Sequence, residues 1–370
     1  MKVPFVDLKV QYESIKPEID AAIQDVLSNT AFVGGSRVKE FEDNFAALYG
    51  VKHCISTANG TDSIYIILKM LGIGAGDEVI TSAHTWISTS ETISQTGATP
   101  VFADTEPGYF TISPSAIKQK ITAKTKAIIP VHLCGQMCDM NEIMALAKAH
   151  NLYVVEDCAQ SHFSEYKGVR AGLMGIAGSF SFYPGKNLGA YGDAGCVITN
   201  DDELALNMRM YKNHGALVKH EHKMEGINSR LDGIQAAILN VKLNHILNWT
   251  DKRIAAAALY TTLLSEVPEI TTPIVRNDTK HSFHLYMIKT PKRDELKAYL
   301  AEHEVATGLH YPKILPILEA YSRQQDDPSQ FKDALSNQDE ILSLPMYPEL
   351  STEQIHYLVD IIKRFFQNKT

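Results

Sequence analysis

The chain has 370 residues, of which 45% are hydrophobic and 21% are charged, and its formal net charge is −8. This size and composition are typical of a globular enzyme with a large core and room for two domains. The negative charge argues against nucleic acid and against an anionic membrane surface as partners. No apolar run is long enough to cross a bilayer.

The N-terminal stretch MKVPFVDLKVQYESIKPEID lacks the apolar core of a signal peptide. The cysteines are few, odd in number and scattered among apolar segments: Cys54, Cys134, Cys138, Cys158 and Cys196. This usage indicates reduced, buried thiols and predicts a cytoplasmic protein. His132 lies near two of them, but the spacing does not fit a zinc knuckle and no second pair exists, so we expect no metal.

Short β-rich runs alternate with amphipathic stretches over the first two hundred residues. The strands are predicted at 53–57, 78–83, 99–104, 127–132, 153–158, 179–183 and 195–200. The helical stretches between them include 61–73, 86–97, 140–150 and 202–213. This alternation, with strands that are apolar throughout, predicts an α/β domain whose seven-stranded, mostly parallel sheet is covered by helices on both faces.

The region 229–265 is predicted to form one long helix or two in succession. A second set of elements follows, with a strand, a helix and a closing helix at 284–290, 292–303 and 351–367. We therefore expect a large domain over residues 1–245 and a smaller C-terminal α+β domain over residues 246–370. The segment up to about residue 30 is compatible with packing against either domain.

Candidate ligand-binding residues come directly after the strands, where open α/β sheets bind their ligands. Gly60 and Thr61 open a helix whose free N–H groups and dipole favour an anion. For this pair alone, an ordinary N-cap in a tight turn is the better explanation. Trp86 follows the next strand, where an indole either stacks on a planar ring or fills the core.

Asp157 follows three apolar residues in VVEDCAQ, and a buried carboxylate there needs a cationic partner. A protonated pyridine nitrogen is one such partner. A helix cap or a salt bridge within the chain explains the residue equally well. Ser181 lies in the aromatic strand, five residues before Lys186, and by itself is a small polar residue in a sheet.

Lys186 follows the apolar run SFSFYPG. Three explanations are open for it: a surface loop, a phosphate-binding loop or a catalytic site. The Walker pattern G-x-x-x-x-G-K-[ST] fails, because six residues separate Gly178 from Gly185 and Asn187 follows the lysine. A lysine in apolar, aromatic surroundings has a lowered pKa and attacks carbonyl groups. We therefore interpret Lys186 as a nucleophile.

Together these groups match the requirements of pyridoxal phosphate (PLP). The anion site fits its phosphate, Trp86 its ring, Asp157 its ring nitrogen and Lys186 its aldehyde. No single member of the set identifies the cofactor. The complete set, in this order along the chain, does.

The sequence resembles the DegT/DnrJ/EryC1/StrS sugar aminotransferases, which are fold-type I PLP enzymes acting on nucleotide-linked keto sugars. The resemblance runs over nearly the whole chain, through VPFVDL, FVGGSRVKEFEDNFA, TANGTDSI, VVEDCAQSH, SFSFYPGKNLGAYGDAGCVIT, GLHYP and LSLPMYPEL. The stretch around Lys186 is highly specific, whereas the Gly-Thr pair alone is a weak signal. The resemblance predicts the fold class, a fold-type I PLP-dependent transferase.

The resemblance also implies roles for residues of the site. Lys186 would bind PLP covalently and later move protons, and Asp157 would pair with the pyridine nitrogen. Gln160 would contact the 3-oxygen of the ring, and Trp86 would stack on the ring. The phosphate would be held by Gly60, Thr61 and Ser181.

The family builds its active sites at the interface of a homodimer. Asn228, in GINSRLDGIQAAIL, matches the asparagine that reaches the cofactor phosphate of the neighbouring subunit. Capping of its own helix is the alternative explanation for this residue. Members of the family that are dehydratases carry histidine in place of the lysine, so Lys186 favours transamination, with L-glutamate as the usual donor.

The position of amination is inferred from two stretches, YPGKNLGAYGDAG and NSRLDGIQAAIL, which resemble the branch that aminates C3 of keto-deoxyhexoses on dTDP. Enzymes for C4 more often carry a YRMS-like stretch where this chain has SRLD. The alternatives are a 4-aminotransferase, a UDP-linked sugar aminotransferase, a PLP-dependent dehydratase and a non-catalytic PLP sensor.

The residues considered for holding the sugar nucleotide are Tyr183, Arg230, His284, His310 and Tyr311. For Tyr183 the alternative is core packing, and for the histidines it is ordinary capping. Phe163 and Ser164 stand where relatives commonly have small residues. Phe163 either reshapes the sugar pocket or fills the core.

Overall fold

The structure, a computed structural model, describes residues 1–367. Its α-helices are α1 (Leu8–Ser14), α2 (Lys16–Ser28), α3 (Ser36–Tyr49), α4 (Gly60–Met70), α5 (Ser88–Thr96), α6 (Pro114–Lys120), α7 (Met140–His150), α8 (Asp202–Tyr211), α9 (Gly233–Leu243), α10 (Ile246–Leu264), α11 (Arg293–Glu302), α12 (Lys332–Glu340) and α13 (Thr352–Gln367). Short 3₁₀ helices lie at Leu133–Gly135, Leu315–Ile317, Glu319–Gln324 and Pro328–Gln330.

The strands are β1 (His53–Thr57), β2 (Glu78–Ser82), β3 (Thr99–Ala103), β4 (Thr125–Ile129), β5 (Tyr153–Asp157), β6 (Glu165–Tyr166), β7 (Val169–Arg170), β8 (Ala177–Ser181), β9 (Gly195–Thr199), β10 (Thr279–Lys280), β11 (Tyr286–Lys289) and β12 (Ile341–Leu344). Seven of them form the central sheet in the order β1-β9-β8-β5-β4-β2-β3. Within it β9 runs antiparallel to both β1 and β8, whereas β2, β3, β4, β5 and β8 pair in parallel. The prediction of a mostly parallel α/β sheet is confirmed.

Helices cover both faces of the central sheet, because successive side chains of each strand point to opposite faces and both sets are apolar. On one face, α4, α5 and α8 pack over a cluster that includes Ile67, Ile93 and Met208. On the other face, α3, α7 and α9 pack over a second cluster around Phe45 and Phe180. Consecutive residues of a strand therefore point to different faces. Phe180 packs in the cluster around Phe45, whereas Ser179 and Ser181 face α4.

Two strands are shifted by two residues or more from the sequence prediction, and four others end one residue earlier than predicted. Strand β4 begins at Thr125 and ends at Ile129, because Pro130 has no N–H group to continue the ladder. Strand β8 spans Ala177–Ser181 rather than 179–183, so Lys186 lies in a loop beyond the sheet edge. The predicted helical region after residue 229 is divided into α9 and α10.

A further hydrophobic cluster lies outside the central sheet and joins Val3 to residues between Ala256 and Phe366. Two small sheets lie outside the central sheet, β11-β12 and β10-β6-β7, and residues of β11 and β12 belong to this cluster. The N-terminal segment contributes to both regions, since Val3 pairs with Val305 while Ile19 packs in the cluster with Phe45. The division into domains at residue 245 stays a prediction. Within residues 1–367 no helix has the length and apolar character to span a membrane.

Candidate active site

The start of α4 forms a tight cradle against the end of β8. A Cβ atom added to Gly60 would lie 2.6 Å from the Cβ of Ser181, so only glycine allows this close approach. The Asn59 side chain accepts the N–H of Asp62 at 2.8 Å. The N–H groups of Gly60 and Thr61, at the positive end of the helix dipole, are thus available to an anion beside the Ser181 hydroxyl.

Two residues that sequence reasoning did not single out shape this cradle. A Cβ atom on Gly195 of β9 would lie 2.4 Å from the carbonyl carbon of Asn59, so glycine is required there too. Thr61 donates from its Oγ1 to the Ser88 hydroxyl at 2.8 Å. The sequence signal for Gly195 is its place in GDAG, at the start of an apolar strand.

Asp157 ends β5 as a buried carboxylate, 5% exposed. Its Oδ2 accepts from the Thr89 hydroxyl at 2.8 Å, and its Oδ1 accepts from the Ala159 N–H at 3.1 Å. Among residues 1–367 it forms no salt bridge and caps no helix, so neither alternative from the sequence holds. Two neutral donors orient the carboxylate, and its charge remains available to a cationic ring nitrogen.

Lys186 lies partly buried in the loop after β8, where its backbone N–H donates to the Tyr183 carbonyl at 2.8 Å. Burial lowers the pKa of its ammonium group to about 8, against the opposing effects of Asp157 and Cys134. A lysine with this pKa is partly neutral at physiological pH and therefore nucleophilic. The surface-loop alternative does not explain such burial.

Gln160 and Trp86 both contact Tyr311. Gln160 is 4% exposed, accepts from the Cys134 N–H at 2.7 Å and donates from Nε2 to the Tyr311 hydroxyl at 2.9 Å. Trp86 is 56% exposed, so it does not fill the core, and its ring centroid lies 5.6 Å from that of Tyr311. A flat ligand can therefore reach the indole face.

The fit to PLP rests on these features of the chain itself. A cradle that excludes any Cβ supplies anion-binding N–H groups, a buried carboxylate forms no salt bridge among residues 1–367, and a partly buried lysine has a lowered pKa. These groups follow β1, β5 and β8. In the central sheet β5 pairs with β8, and β9 lies between β8 and β1. The residues present fit the cofactor that the sequence predicted.

The residues considered for substrate binding differ in their surroundings. Tyr183 is 59% exposed, which excludes core packing. Burial lowers the pKa of both His284 and His310, and the charge of Lys186 lowers it further. The pKa of His310 is about 4. The hydroxyl of Tyr311 accepts a hydrogen bond from the Gln160 Nε2 at 2.9 Å. Arg230 instead donates to the Asn213 side chain at 3.3 Å.

Asn228 is exposed and lies in an extended segment that bridges to Asn213. Helix α9 begins at Gly233 with Asp232 as its N-cap residue, so Asn228 does not cap the helix. The alternative explanation for this residue is therefore wrong. Its predicted contact with a neighbouring subunit stays a prediction.

Phe163 is 1% exposed and packs its ring 4.6 Å from that of Tyr49 and 6.2 Å from that of Phe45. It fills the core. Because its ring is buried among aromatic core residues, the sequence hypothesis that it shapes the sugar pocket is not needed to explain it.

Three potential metal ligands lie together beneath the site, with the ligand atoms of His132, Glu156 and Cys158 within 4.8 Å of one another. The His132 Nε2 is 2.9 Å from the Glu156 carboxylate, which also accepts from the N–H groups of Gly172 and Gly175. These bonds use the lone pairs that a metal would need. The carboxylate instead fastens the turn before β8 to β5.

Comparisons with known proteins identify the family. The sequence profile of the DegT/DnrJ/EryC1/StrS aminotransferase family matches residues 13–363. A pleiotropic regulatory protein of Geobacillus stearothermophilus is 46% identical over 100% of both chains. The dTDP-3-amino-3,4,6-trideoxy-alpha-D-glucose transaminase of Streptomyces venezuelae is 40% identical, over 98% of this chain and 96% of the relative.

Solved structures show the same fold. The structure of S. venezuelae DesV in complex with a ketimine intermediate has a TM-score of 0.96 and 40% identity, covering 98% of each chain. The structure of Bacillus subtilis NtdA with bound cofactor PMP has a TM-score of 0.90 and 29% identity, over 98% of this chain and 85% of that one. The chain therefore belongs to the DegT/DnrJ/EryC1/StrS family and is a PLP-dependent aminotransferase of nucleotide-linked keto sugars.

Proposed function

We propose that this enzyme transfers the amino group of L-glutamate to C3 of a dTDP-3-keto-6-deoxyhexose. The observation that carries the proposal is the similarity to two dTDP-3-amino sugar transaminases, from S. venezuelae and from Aneurinibacillus thermoaerophilus, each 40% identical over 98% of this chain. The stretches NSRLDGIQAAIL and YPGKNLGAYGDAG support the same position. A UDP-linked substrate is the main alternative, since a UDP-N-acetyl-3-dehydro-alpha-D-glucosamine 3-aminotransferase of Acidithiobacillus ferrooxidans is 38% identical over 98% of the chain.

In the proposed mechanism, bound PLP supplies the electron sink for the carbanion-like step of each half-reaction. Lys186 holds the cofactor and then carries a proton on its Nζ to and from the substrate carbon. Asp157, oriented by Thr89, keeps a positive charge on the ring nitrogen favourable. Trp86 limits movement of the ring. Glutamate leaves as 2-oxoglutarate before the keto sugar accepts the nitrogen.

The start of α4 has the role of an anchor in this proposal. Gly60 and Thr61 offer backbone N–H groups to the phosphate, and Ser181 offers its hydroxyl from the adjoining strand. Because the anchor lies at the start of α4 and the end of β8, the ring has one position relative to Asp157 and Lys186. We expect the loss of any one of these contacts to weaken cofactor binding more than it changes the chemistry.

We further propose that the enzyme is a cytoplasmic homodimer with shared active sites, in which Asn228 reaches the cofactor phosphate of the partner subunit. The exposure of Asn228 supports this role. Its neighbour Ser229 accepts the N–H of Ala58 at 3.0 Å, which fixes the backbone of the segment that presents Asn228. A two-fold dimer would make the exchange reciprocal.

A second candidate function is suggested by the names of two relatives. Besides the Geobacillus protein, the erythromycin biosynthesis sensory transduction protein of Saccharopolyspora erythraea is 39% identical over 98% of this chain. A sensor built on this fold would bind PLP and a sugar nucleotide without turnover. The nucleophilic Lys186, which catalysis requires and a binding role does not, favours the enzyme.

One assay separates these functions. The purified protein is mixed with PLP, L-glutamate and a panel of dTDP- and UDP-linked 3-keto and 4-keto sugars, and 2-oxoglutarate is measured. We expect turnover with a dTDP-3-keto-6-deoxyhexose and product NMR that places nitrogen at C3. Nitrogen at C4 would refute the position. Cofactor binding without 2-oxoglutarate from any sugar would favour the sensor, and sugar conversion without 2-oxoglutarate would favour a dehydratase.

A further inference from the structure

Asn187, the residue after Lys186, has a buried side chain that is hydrogen-bonded at both ends. It is 2% exposed. Its Nδ2 donates to the Ser282 carbonyl at 3.1 Å, and its Oδ1 lies 3.1 Å from the His284 Nδ1. A carbonyl can only accept, so the amide nitrogen must face Ser282 and the amide oxygen must face His284.

This orientation determines which ring nitrogen of His284 carries the proton. The Asn187 Oδ1 is an acceptor, so the His284 Nδ1 must be the donor. Burial lowers the pKa of His284 well below its usual value, and the positive charges of Lys186 and Arg253 lower it further. The ring is therefore neutral, and a neutral imidazole with its proton on Nδ1 has an acceptor lone pair on Nε2.

The backbone behind His284 is also held in place. The buried Arg253 donates from one terminal nitrogen to the carbonyls of Phe283 and Met346, at 3.3 and 2.8 Å. The Ser282 N–H donates to the Gly135 carbonyl at 3.2 Å. Because both the backbone and the ring are restrained, His284 keeps one position relative to the loop that carries Lys186.

We propose that Asn187 is a positioning residue that fixes His284 as a hydrogen-bond acceptor for a hydroxyl group of the sugar substrate. The inference rests on the proposed function and extends it to the means of substrate recognition. Sugar hydroxyls can donate to Nε2, whereas the carboxylates of glutamate offer acceptors only. The contact therefore favours the sugar half-reaction and contributes little to the glutamate half-reaction.

Two substitutions test the roles of the two ring nitrogens of His284. His284→Asn keeps a donor near the Nδ1 position and removes the Nε2 acceptor. Asn187→Leu retains a similar volume and removes both hydrogen bonds of Asn187. The matched control is His281→Asn, because His281 is also buried but its Nδ1 accepts the Phe283 N–H at 2.9 Å, so it has the opposite tautomer.

Kinetics of the separate half-reactions give the first test. With the keto sugar that the product assay identifies, His284→Asn should raise KM roughly tenfold, the typical effect of losing one hydrogen bond. Its KM for glutamate should change less than about twofold, since no such bond is lost there. Asn187→Leu should likewise raise the KM for the keto sugar more than the KM for glutamate. In the control variant the two KM values should change by the same factor. Equal losses in both half-reactions would overturn the proposal.

The tautomer itself is read without any activity, by ¹⁵N NMR of the histidine rings in the cofactor-free protein. We expect protonation on Nδ1 for His284 and on Nε2 for His281 in the same spectrum, and a shift of the His284 signals alone in Asn187→Leu. A proton on the His284 Nε2 would refute the inference even if the enzyme is active. If no keto sugar is aminated, the proposed function fails and the acceptor role fails with it, while the spectrum still decides whether Asn187 sets the tautomer.

Discussion

Lys186 should titrate near pH 8 in the cofactor-free protein, and its titration should respond to Asp157. Burial lowers the pKa of Lys186 from 10.5 to about 8, while the charge of Asp157 raises it. At pH 7.5 a pKa of 8 leaves roughly a quarter of the amine neutral, compared with roughly 0.1% for an ordinary lysine. This difference of about two orders of magnitude is the activation that the site supplies before the cofactor binds.

The perturbation is Asp157→Asn, which keeps the shape of the side chain and removes its charge. The pKa of Lys186 should then fall below that of the wild-type protein, so the free amine should become more reactive at neutral pH. Turnover of the PLP-loaded enzyme should fall, and by far more than PLP affinity, because a neutral amide cannot favour the charged ring nitrogen. The two effects have opposite signs, which a general loss of structure would not produce.

The assay is competitive acetylation of the cofactor-free protein at a series of pH values, with mass spectrometry of the peptide that contains Lys186. Exposed lysines in the same digest, such as Lys39, provide the internal reference. A midpoint near 10.5 for Lys186 would refute the reasoning. An upward shift in Asp157→Asn, or near-normal turnover of that variant, would show that the carboxylate is structural.

The remaining predictions concern the cradle, the covalent link and the dimer. Gly60→Ala places a Cβ 2.6 Å from that of Ser181, so PLP affinity measured by titration should fall at least about tenfold, whereas tight binding would place the phosphate elsewhere. Borohydride reduction should leave the cofactor on the peptide with Lys186, and Lys186→Ala should lose at least about a thousandfold in rate while still binding PLP; labelling of another lysine would contradict this. Lys186→Ala and Asn228→Asp should each be nearly inactive alone, but their heterodimer should recover up to about half of wild-type activity, because one of its two sites carries neither change. An inactive heterodimer would place both residues in the same site of one chain.

The central sheet and the positions of the candidate catalytic residues could be read from the chain because both depend on local patterns. Strands buried on two faces are apolar throughout, and the residue that follows each strand lies at the sheet edge wherever the strand pairs. Asp157 and Lys186 were placed in this way. The end of β8 was missed by two residues, since the run SFSFY continues to be apolar after the last residue that pairs in the sheet.

By itself the sequence determined which groups meet at the carboxyl ends of the strands, because the order of strands and helices along the chain specifies them. The tertiary structure alone decided what surrounds those groups. The Thr89 hydroxyl donates a hydrogen bond to Asp157, which lies 68 residues later in the sequence. Asn187 donates one to the backbone of Ser282, which lies 95 residues later. Such bonds leave no periodic signal, because one polar side chain among many acquires its partner only when the chain folds back upon itself. The acidity of Lys186 and the tautomer of His284 depend on that folding, since burial and a fixed neighbour are properties of the packed molecule and not of any segment of its sequence.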